Sequence, residues 1–270
     1  MSTCCISGSV FGGEPQGREE QLGGLDVYVA RPPGSDAPVL AAAKTLVLFT
    51  DVFGWRFANP RLLADRYAAA LQLPVLVPDL HGGDSIASDA LDFMLKPASS
   101  WSHRVMNVFV GLSRAPALIA WFMRHGDKAT LPRVAALLAA LRGGSASRRI
   151  AVMGFCWGGR FAVLAGGGEP ATVDVVLAAH PSGVSAADCG RMEAPPALFL
   201  CAETDAVFPP ATRAAAEAAL SARAAGPARF VIYPGTQHGF AARGNEGNEA
   251  ERAAMDAAFA DAVAFLKEKL

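Results

Sequence analysis

The chain lacks an excess of charge of either sign, and this narrows its possible partners. Its 270 residues contain 24 Lys and Arg against 25 Asp and Glu, which gives a formal net charge of −1. No basic stripe or run is present, and this argues against nucleic acid or an acidic membrane surface as a partner. We predict a small-molecule partner and a monomer or homodimer. Hydrophobic residues make up 52% of the chain, enough for a substantial packed core.

Cysteine is scarce, and its spacing excludes two common frameworks. The five cysteines are Cys4, Cys5, Cys156, Cys189 and Cys201. They form neither a disulfide framework nor a zinc-type spacing with histidine, which favours a reducing cytoplasm. The N-terminus has neither the basic start nor the apolar core of a signal peptide. We expect a cytoplasmic protein without cofactors, because no metal-ligand spacing occurs and no G-x-G-x-x-G motif follows a predicted strand.

No apolar run is long and uninterrupted enough to predict a membrane span. The nearest candidate, residues 105–123, is interrupted by Arg114 and Pro116. It belongs to a stretch, about 86–131, in which strand and helix patterns do not alternate cleanly. We interpret 86–131 as a lid or pocket wall.

Elsewhere, short β-branched or apolar runs alternate with helical patterns, and no linker divides the chain. This alternation is typical of βαβ units, so we predict one α/β domain over 1–270, with a mostly parallel sheet flanked by helices. The predicted strands are 25–30, 45–50, 74–78, 149–154, 173–179, 197–202 and 229–233. The predicted helices are 61–71, 131–142, 157–165, 210–224 and 249–269.

The sharpest signal is G-F-C-W-G-G at residues 154–159, which puts a thiol between glycines where an apolar run meets a helical pattern. Composition alone would produce G-x-C-x-G-G roughly 0.005 times in such a chain. A strand that turns sharply into a helix exposes the side chain at the turn, and glycines let the two backbones approach. We interpret Cys156 as a nucleophile; the alternative is a small buried hydrophobic residue. We predict that Cys201 packs in the core and that Cys189 lies in a loop.

A thiol nucleophile needs a base, since an ordinary cysteine with a pKa of about 8.5 is only slightly ionised at neutral pH. Asp205 and His238 each follow a predicted strand, and with Cys156 they give the order nucleophile, acid, histidine. Loops after parallel strands emerge at one edge of the sheet, so the three side chains can converge. His238 is then the base, and Asp205 orients it. Glu203 remains an alternative acid, and a surface-loop role remains an alternative for His238.

Negative charge developing on a carbonyl oxygen requires hydrogen-bond donors beside the sulfur. The Trp157 N–H stands at the start of a predicted helix, and the Val52 N–H lies in the loop after strand 45–50. We predict that these two N–H groups form an oxyanion hole.

Over nearly its whole length, the chain resembles the dienelactone hydrolase family, closest to its eukaryotic-type branch. The matching segments are T-D-V-F-G-W (50–55), N-P-R-L-L-A-D-R-Y (59–67), V-P-D-L (77–80), G-F-C-W-G-G (154–159), H-P-S (180–182), L-C-A-E-T-D (200–205) and Y-P-G-T-Q-H-G-F (233–240). The resemblance implies an α/β-hydrolase fold with a triad of Cys156, His238 and Asp205. It also implies that enol-lactones such as dienelactones are opened by acyl transfer to sulfur and then to water.

The resemblance suggests roles for an acid and for arginines. In the bacterial members, a glutamate in the loop after the early strand contacts the thiol and promotes the thiolate when an anionic substrate arrives. Asp51 occupies that place with a side chain one methylene shorter, so it either reaches Cys156 or only shapes the loop. Arginines bind the substrate carboxylate in those members. Arg243 is the nearest match to one of them, one residue further along, and Arg104 or Arg56 is a candidate for the second.

Other side chains are candidates for the pocket wall. His180 ends an apolar strand and Phe240 follows the histidine loop, although a buried histidine and simple core packing are the alternatives. Asp79 and His81, at the end of strand 74–78, either neighbour the site or form a turn.

Together these features predict a thiol hydrolase that cleaves a small, anionic lactone or ester through an acyl-enzyme on Cys156. Another acyl hydrolase, such as a thioesterase or a peptide- or amide-cleaving enzyme, is an alternative, because fold and triad do not set the leaving group. A non-catalytic ligand-binding protein of the same fold is a second alternative.

Overall fold

The computed structural model describes residues 9–86, 116–143, 145, 147–168, 173–221, 223 and 228–270. Cys4, Cys5, Arg104 and residues 87–115 of the predicted lid or pocket wall lie outside these ranges. Within them, no helix combines the length and the apolar character needed to cross a membrane.

The described strands form one eight-stranded sheet in the order β1-β2-β4-β3-β5-β6-β7-β8. Pairing is antiparallel from β1 to β2 and from β2 to β4, and parallel across the rest of the sheet. This confirms the predicted α/β fold with a mostly parallel sheet. The strands are β1 (Arg18–Leu22), β2 (Leu25–Ala30), β3 (Lys44–Phe49), β4 (Val75–Pro78), β5 (Arg149–Phe155), β6 (Val175–Ala179), β7 (Ala197–Thr204) and β8 (Arg229–Gln237).

Helices cover both faces of the sheet, because successive strand side chains point to opposite faces. Leu46 and Leu48 of β3 pack into one buried cluster with helices α1 and α8, whereas Val47 and Phe49 pack into a second cluster with α3 and α4. The helices are α1 (Ala58–Leu71), α2 (116–124), α3 (Asp127–Gly143), α4 (Trp157–Gly166), α5 (Ala186–Gly190), α6 (Pro210–Ser221), α7 (Phe240–Arg243) and α8 (Glu249–Lys269).

All seven predicted strands and all five predicted helices are present, with ends displaced by a few residues. Strand β1 was not predicted, because its sequence R-E-E-Q-L has no apolar run and lies mostly exposed at the edge of the sheet. Cys189 was predicted to be a loop residue, and this is wrong: it is buried in helix α5. Ser185 and Asp188 form a capping box that starts this short helix.

Candidate active site

The candidate nucleophile stands on a strained turn between β5 and α4. Cys156 has φ +51° and ψ −115°, a conformation that non-glycine residues rarely adopt. The neighbouring glycines make the close approach of strand and helix possible. A Cβ atom on Gly154 would collide with the Gly158 backbone, and a Cβ atom on Gly158 would collide with the Phe49 backbone. The turn therefore has the geometry that the glycine pattern predicts.

The Gly158→Ala substitution is expected to destabilise the fold by about 3 kcal/mol or more, because its new methyl group meets main-chain atoms that cannot rotate away. Chemical denaturation monitored by circular dichroism measures this loss. Gly190→Ala is the matched control: a Cβ atom there meets nothing within 4 Å. A Gly158→Ala protein as stable as the Gly190→Ala protein would contradict the tight-turn geometry.

His238 and Asp205 form a buried pair at the carboxyl edge of the sheet. His238 follows β8 and Asp205 follows β7, and His238 Nδ1 lies 2.8 Å from Asp205 Oδ2. The other carboxylate oxygen, Oδ1, accepts hydrogen bonds from the backbone N–H groups of Val207 and Phe208 at 2.8 and 2.9 Å. Both side chains are almost inaccessible to solvent. The carboxylate thus fixes the ring and is itself fixed by its own loop.

Glu203, the alternative acid, lies elsewhere. Its carboxylate is exposed and accepts a hydrogen bond from the Gly235 N–H at 2.9 Å. Of the two acids, Asp205 is the one that contacts His238.

The imidazole ring of His238 is turned toward the sulfur of Cys156, with a serine beside both. Ser182 Oγ lies 3.3 Å from Cys156 Sγ and 3.4 Å from His238 Nε2. Cys156 also acts on the ring, since it is among the groups that raise the pKa of His238. Sulfur, imidazole and carboxylate therefore converge, as the order of the three residues in the chain suggested. Ser182 was missed, although it follows a strand next to the elbow strand, and that position is the signal that could have identified it.

Electrostatics favour a charged ring in this pair. Burial lowers the pKa of His238, but the charge and hydrogen bonds of Cys156 and Asp205 outweigh it and raise this pKa to about 10. For Asp205, burial raises the pKa, but the hydrogen bond and charge of His238 and the two backbone donors bring it below its usual value. A protonated His238 ring beside an ionised Asp205 is the state that these two shifts favour.

Asp51 and Arg243 form a second buried pair near the thiol. Asp51 Oδ2 lies 3.3 Å from Arg243 Nε, and Asp51 Oδ1 accepts a hydrogen bond from the Phe53 N–H at 3.0 Å. Burial raises the pKa of Asp51; the charge of Arg243 opposes this shift, and the charge of Cys156 adds to it. Asp51 is therefore within electrostatic range of the sulfur. Arg243 is fully buried and paired, not a solvated charge.

A cavity of about 470 Å³ opens beside this cluster. Val52 and Trp157, whose N–H groups were predicted to form the oxyanion hole, lie in its wall next to Ser182. Trp157 is the first residue of α4, so its N–H has no acceptor inside the helix. The other lining residues are Leu118, Phe122, His125, Gly126, Asp127, Arg160, Phe161, Gly183, Ala206 and Val207. Five of these come from 116–131, the described part of the predicted lid or pocket wall.

Arg160 is a cavity residue that the sequence did not suggest. Its guanidinium makes two hydrogen bonds to Asp127, at 2.8 and 2.7 Å, and one to Asp188 at 3.1 Å. The positive charge on this wall is therefore balanced by two carboxylates.

The remaining predicted site residues lie around the cluster. His180 is buried with its ring centroid 5.1 Å from that of His238, and burial keeps its pKa well below the usual value, so the ring is neutral. Phe240 packs against His180 at 5.8 Å. Arg56 is exposed, with its guanidinium over the Trp55 ring. Within the described ranges, Arg56, His180, Phe240 and Arg243 do not line the cavity; as substrate contacts they stay predictions.

Asp79 and His81 form a turn. Asp79 accepts hydrogen bonds from the backbone N–H groups of His81 and Gly83 at 3.1 and 2.7 Å. The His81 ring is buried against Trp157, 4.4 Å between centroids. His81 thus supports the cavity wall from behind, and burial lowers its pKa to about 3.

Comparison with known proteins agrees with this architecture. The model of the dienelactone hydrolase family matches residues 25–270. The protein named hydrolase pyvD of Aspergillus violaceofuscus is 30% identical over 269 residues, covering 100% of this chain and 97% of that protein. The carboxymethylenebutenolidase homolog of mouse is 28% identical over 208 residues, 74% of this chain and 68% of that protein.

Solved structures share the fold. The crystal structure of dienelactone hydrolase from Anabaena variabilis superposes with a TM-score of 0.58 at 16% identity, covering 95% of this chain and 98% of that one. The family model and the relatives identify a carboxylic ester hydrolase, and the chain belongs to the dienelactone hydrolase family.

Proposed function

We propose that the protein hydrolyses a small, anionic lactone or ester through an acyl-enzyme on Cys156. The observation that carries this proposal is the orientation of the His238 ring, with one nitrogen 2.8 Å from Asp205 and the other side facing the thiol at a strained turn. An imidazole held in this way takes a proton from sulfur while its other N–H stays bonded to the carboxylate.

The steps of the proposed reaction follow the thiol proton from one group to the next. His238 removes the thiol proton, and the Cys156 sulfur attacks the carbonyl carbon. The resulting oxyanion accepts hydrogen bonds from the N–H groups of Val52 and Trp157, each worth about 3 kcal/mol of barrier. His238 then gives its proton to the leaving oxygen, which in a lactone stays attached to the acyl group. Finally, His238 activates water, which attacks the thioester and releases the acid and the thiol.

Asp51 and Arg243 are proposed to link substrate charge to this step. Asp51 lies within electrostatic range of the thiol and is held by Arg243. A substrate carboxylate that draws on the positive charge of Arg243 weakens its hold on Asp51, and this changes the electrostatic field in which His238 takes the thiol proton. Arg56 and Arg104 are the candidates for a second carboxylate contact.

A substrate panel tests the reaction class. We expect the purified protein to turn over small lactones and esters faster than matched thioesters and aminoacyl amides, and free-acid substrates faster than their methyl esters. Initial rates measured over a range of concentrations give kcat/KM for each compound. Preference for thioesters or amides would support the other acyl hydrolases, and binding without turnover would support a ligand-binding protein.

Arginine variants provide the controls for substrate charge. Arg243→Gln, Arg56→Gln and Arg104→Gln are each assayed on the same free-acid and methyl-ester pair. The variant that removes a carboxylate contact lowers kcat/KM about tenfold or more for the free acid only. If all three variants keep the wild-type ratio of kcat/KM for the free acid to that for the methyl ester, none of these arginines binds the substrate carboxylate.

A further inference from the structure

Ser182 lies between the two groups that exchange the proton. Its Oγ is 3.3 Å from Cys156 Sγ and 3.4 Å from His238 Nε2, while no role is assigned to it in the proposed reaction. The hydroxyl is only partly buried and lies in the cavity wall. The hydroxyl thus contacts both the sulfur of Cys156 and the ring of His238.

The backbone fixes this hydroxyl in place. The Cys156 N–H donates to Ala179 O at 3.1 Å, and the Ser182 N–H donates to Cys156 O at 2.9 Å. His180, between these two contacts, has a positive φ of +36°, which redirects the chain after β6 toward the elbow. The loop that carries Ser182 is therefore bonded to the nucleophile residue on both sides. Alanine and threonine at 182 both keep the backbone N–H and its bond, so the loss of the side chain can be tested separately.

We propose that the Ser182 hydroxyl donates a hydrogen bond to the Cys156 thiolate and accepts one from His238, so that it stabilises the ion pair before attack. A hydroxyl has one proton to donate and two lone pairs to accept with, which suits a site between an anion and an N–H donor. Hydrogen bonds to a charged group are stronger than those between neutral groups. Ser182 is thereby a positioning and thiolate-stabilising residue, an assignment that rests on the proposed role of Cys156.

Other charges also act on the sulfur and are held constant in the test. Several described groups near the thiol, or near the His238 ring, titrate or carry a charge. They lie in the loops after β3, β6, β7 and β8 and in α7. They are Asp51, His180, Asp205, His238 and Arg243. Replacement of an uncharged serine changes none of these charges, so a shift in thiol ionisation reports the hydroxyl itself.

The test is the pH dependence of Cys156 alkylation by iodoacetamide, followed by mass spectrometry of the peptide that contains Cys156. Iodoacetamide reacts with the thiolate, so the midpoint of the rate profile reports thiol ionisation. We expect Ser182→Ala to move this midpoint upward by about 1 to 2 pH units, the size of one hydrogen bond to a charged group. Ser182→Thr keeps the hydroxyl and restores a midpoint near that of the wild-type protein.

Ser221→Ala is the matched control. Ser221 is exposed at the end of α6 and donates to Ala218 O at 2.8 Å, so its removal is expected to leave the midpoint unchanged. Turnover provides a second measurement: Ser182→Ala lowers kcat/KM about tenfold or more near neutral pH and recovers above its own midpoint. A merely structural defect would lower the rate equally at every pH.

The outcomes separate this inference from the proposed function. If the Ser182→Ala midpoint coincides with that of the wild-type protein while Cys156→Ala is inactive, the inference fails and the proposed function stands. If the midpoint shifts but Cys156→Ala keeps full turnover, Ser182 does stabilise the thiolate and the proposed nucleophile is wrong. In that case, loss of turnover on adding Ser182→Ala to Cys156→Ala would identify the hydroxyl as the attacking group.

Discussion

Replacing Cys156 with alanine is expected to lower kcat for a lactone or ester by about 10⁴- to 10⁶-fold, because it removes the sulfur on which the proposed acyl-enzyme forms. The backbone N–H groups and the cavity remain, so substrate still binds and a residual rate above that in water persists. Single-turnover assays with mass spectrometry of the intact protein detect the acyl adduct in the wild-type protein and its loss in the variant.

A second buried thiol provides the control for this measurement. Cys189 is buried in α5, and burial raises its pKa to about 12, so it has no reactive thiolate at neutral pH. Cys189→Ala is therefore expected to keep kcat near that of the wild-type protein. Full activity in Cys156→Ala would contradict the proposed mechanism. Equal loss of activity in both variants would point to damage to the fold instead of loss of the nucleophile.

Replacing Asp205 with asparagine is expected to lower kcat by about 10⁴-fold while leaving the loop intact. The oxygen that accepts from Val207 and Phe208 is Oδ1, and asparagine keeps it. The amide nitrogen then replaces Oδ2 and presents an N–H to His238 Nδ1. That contact favours the tautomer with its proton on Nε2, which cannot accept a proton from the thiol.

Comparison of Asp205→Asn with Glu203→Gln distinguishes the two acids. Glu203 is exposed and contacts the Gly235 N–H, so its amide is expected to leave kcat within about twofold of the wild-type value. Steady-state rates with one ester substrate decide between them. A large loss in Glu203→Gln with little loss in Asp205→Asn would reverse the assignment of the orienting acid.

The sequence predicted the location of a side chain best where that residue directly follows a strand. Cys156, Asp205 and His238 each stand directly after a parallel strand, and strand ends share one edge of the sheet, so their convergence could be predicted without coordinates. Strand β1 could not be predicted in this way, because its charged residues carry no apolar signal. Its pairing with β2 depends on an edge that only the folded sheet presents.

Contacts between side chains of different loops could not be predicted from the sequence. The ion pair of Arg243 with Asp51 joins residues from α7 and from the loop after β3, and it depends on which way two buried side chains point. The same holds for Ser182, whose hydroxyl contacts the thiol from a loop in which His180 has a positive φ. Periodicity gives the order of elements but not these directions. The sequence therefore predicted that Cys156, Asp205 and His238 lie close together, and it left the other neighbours of the sulfur undetermined.

The parallel pairing of β5 with β6 has a consequence for how this enzyme can diversify. Cys156 and the loop that bears Ser182 are anchored by adjacent central strands, whereas Leu118 and Phe122 reach the cavity from a separate helix. Mutations in this helix change the shape of the cavity while the backbone bonds that hold Cys156 and Ser182 stay in place. Proteins with this fold can thus differ in the molecules that their cavities admit while the positions of these two residues stay constant.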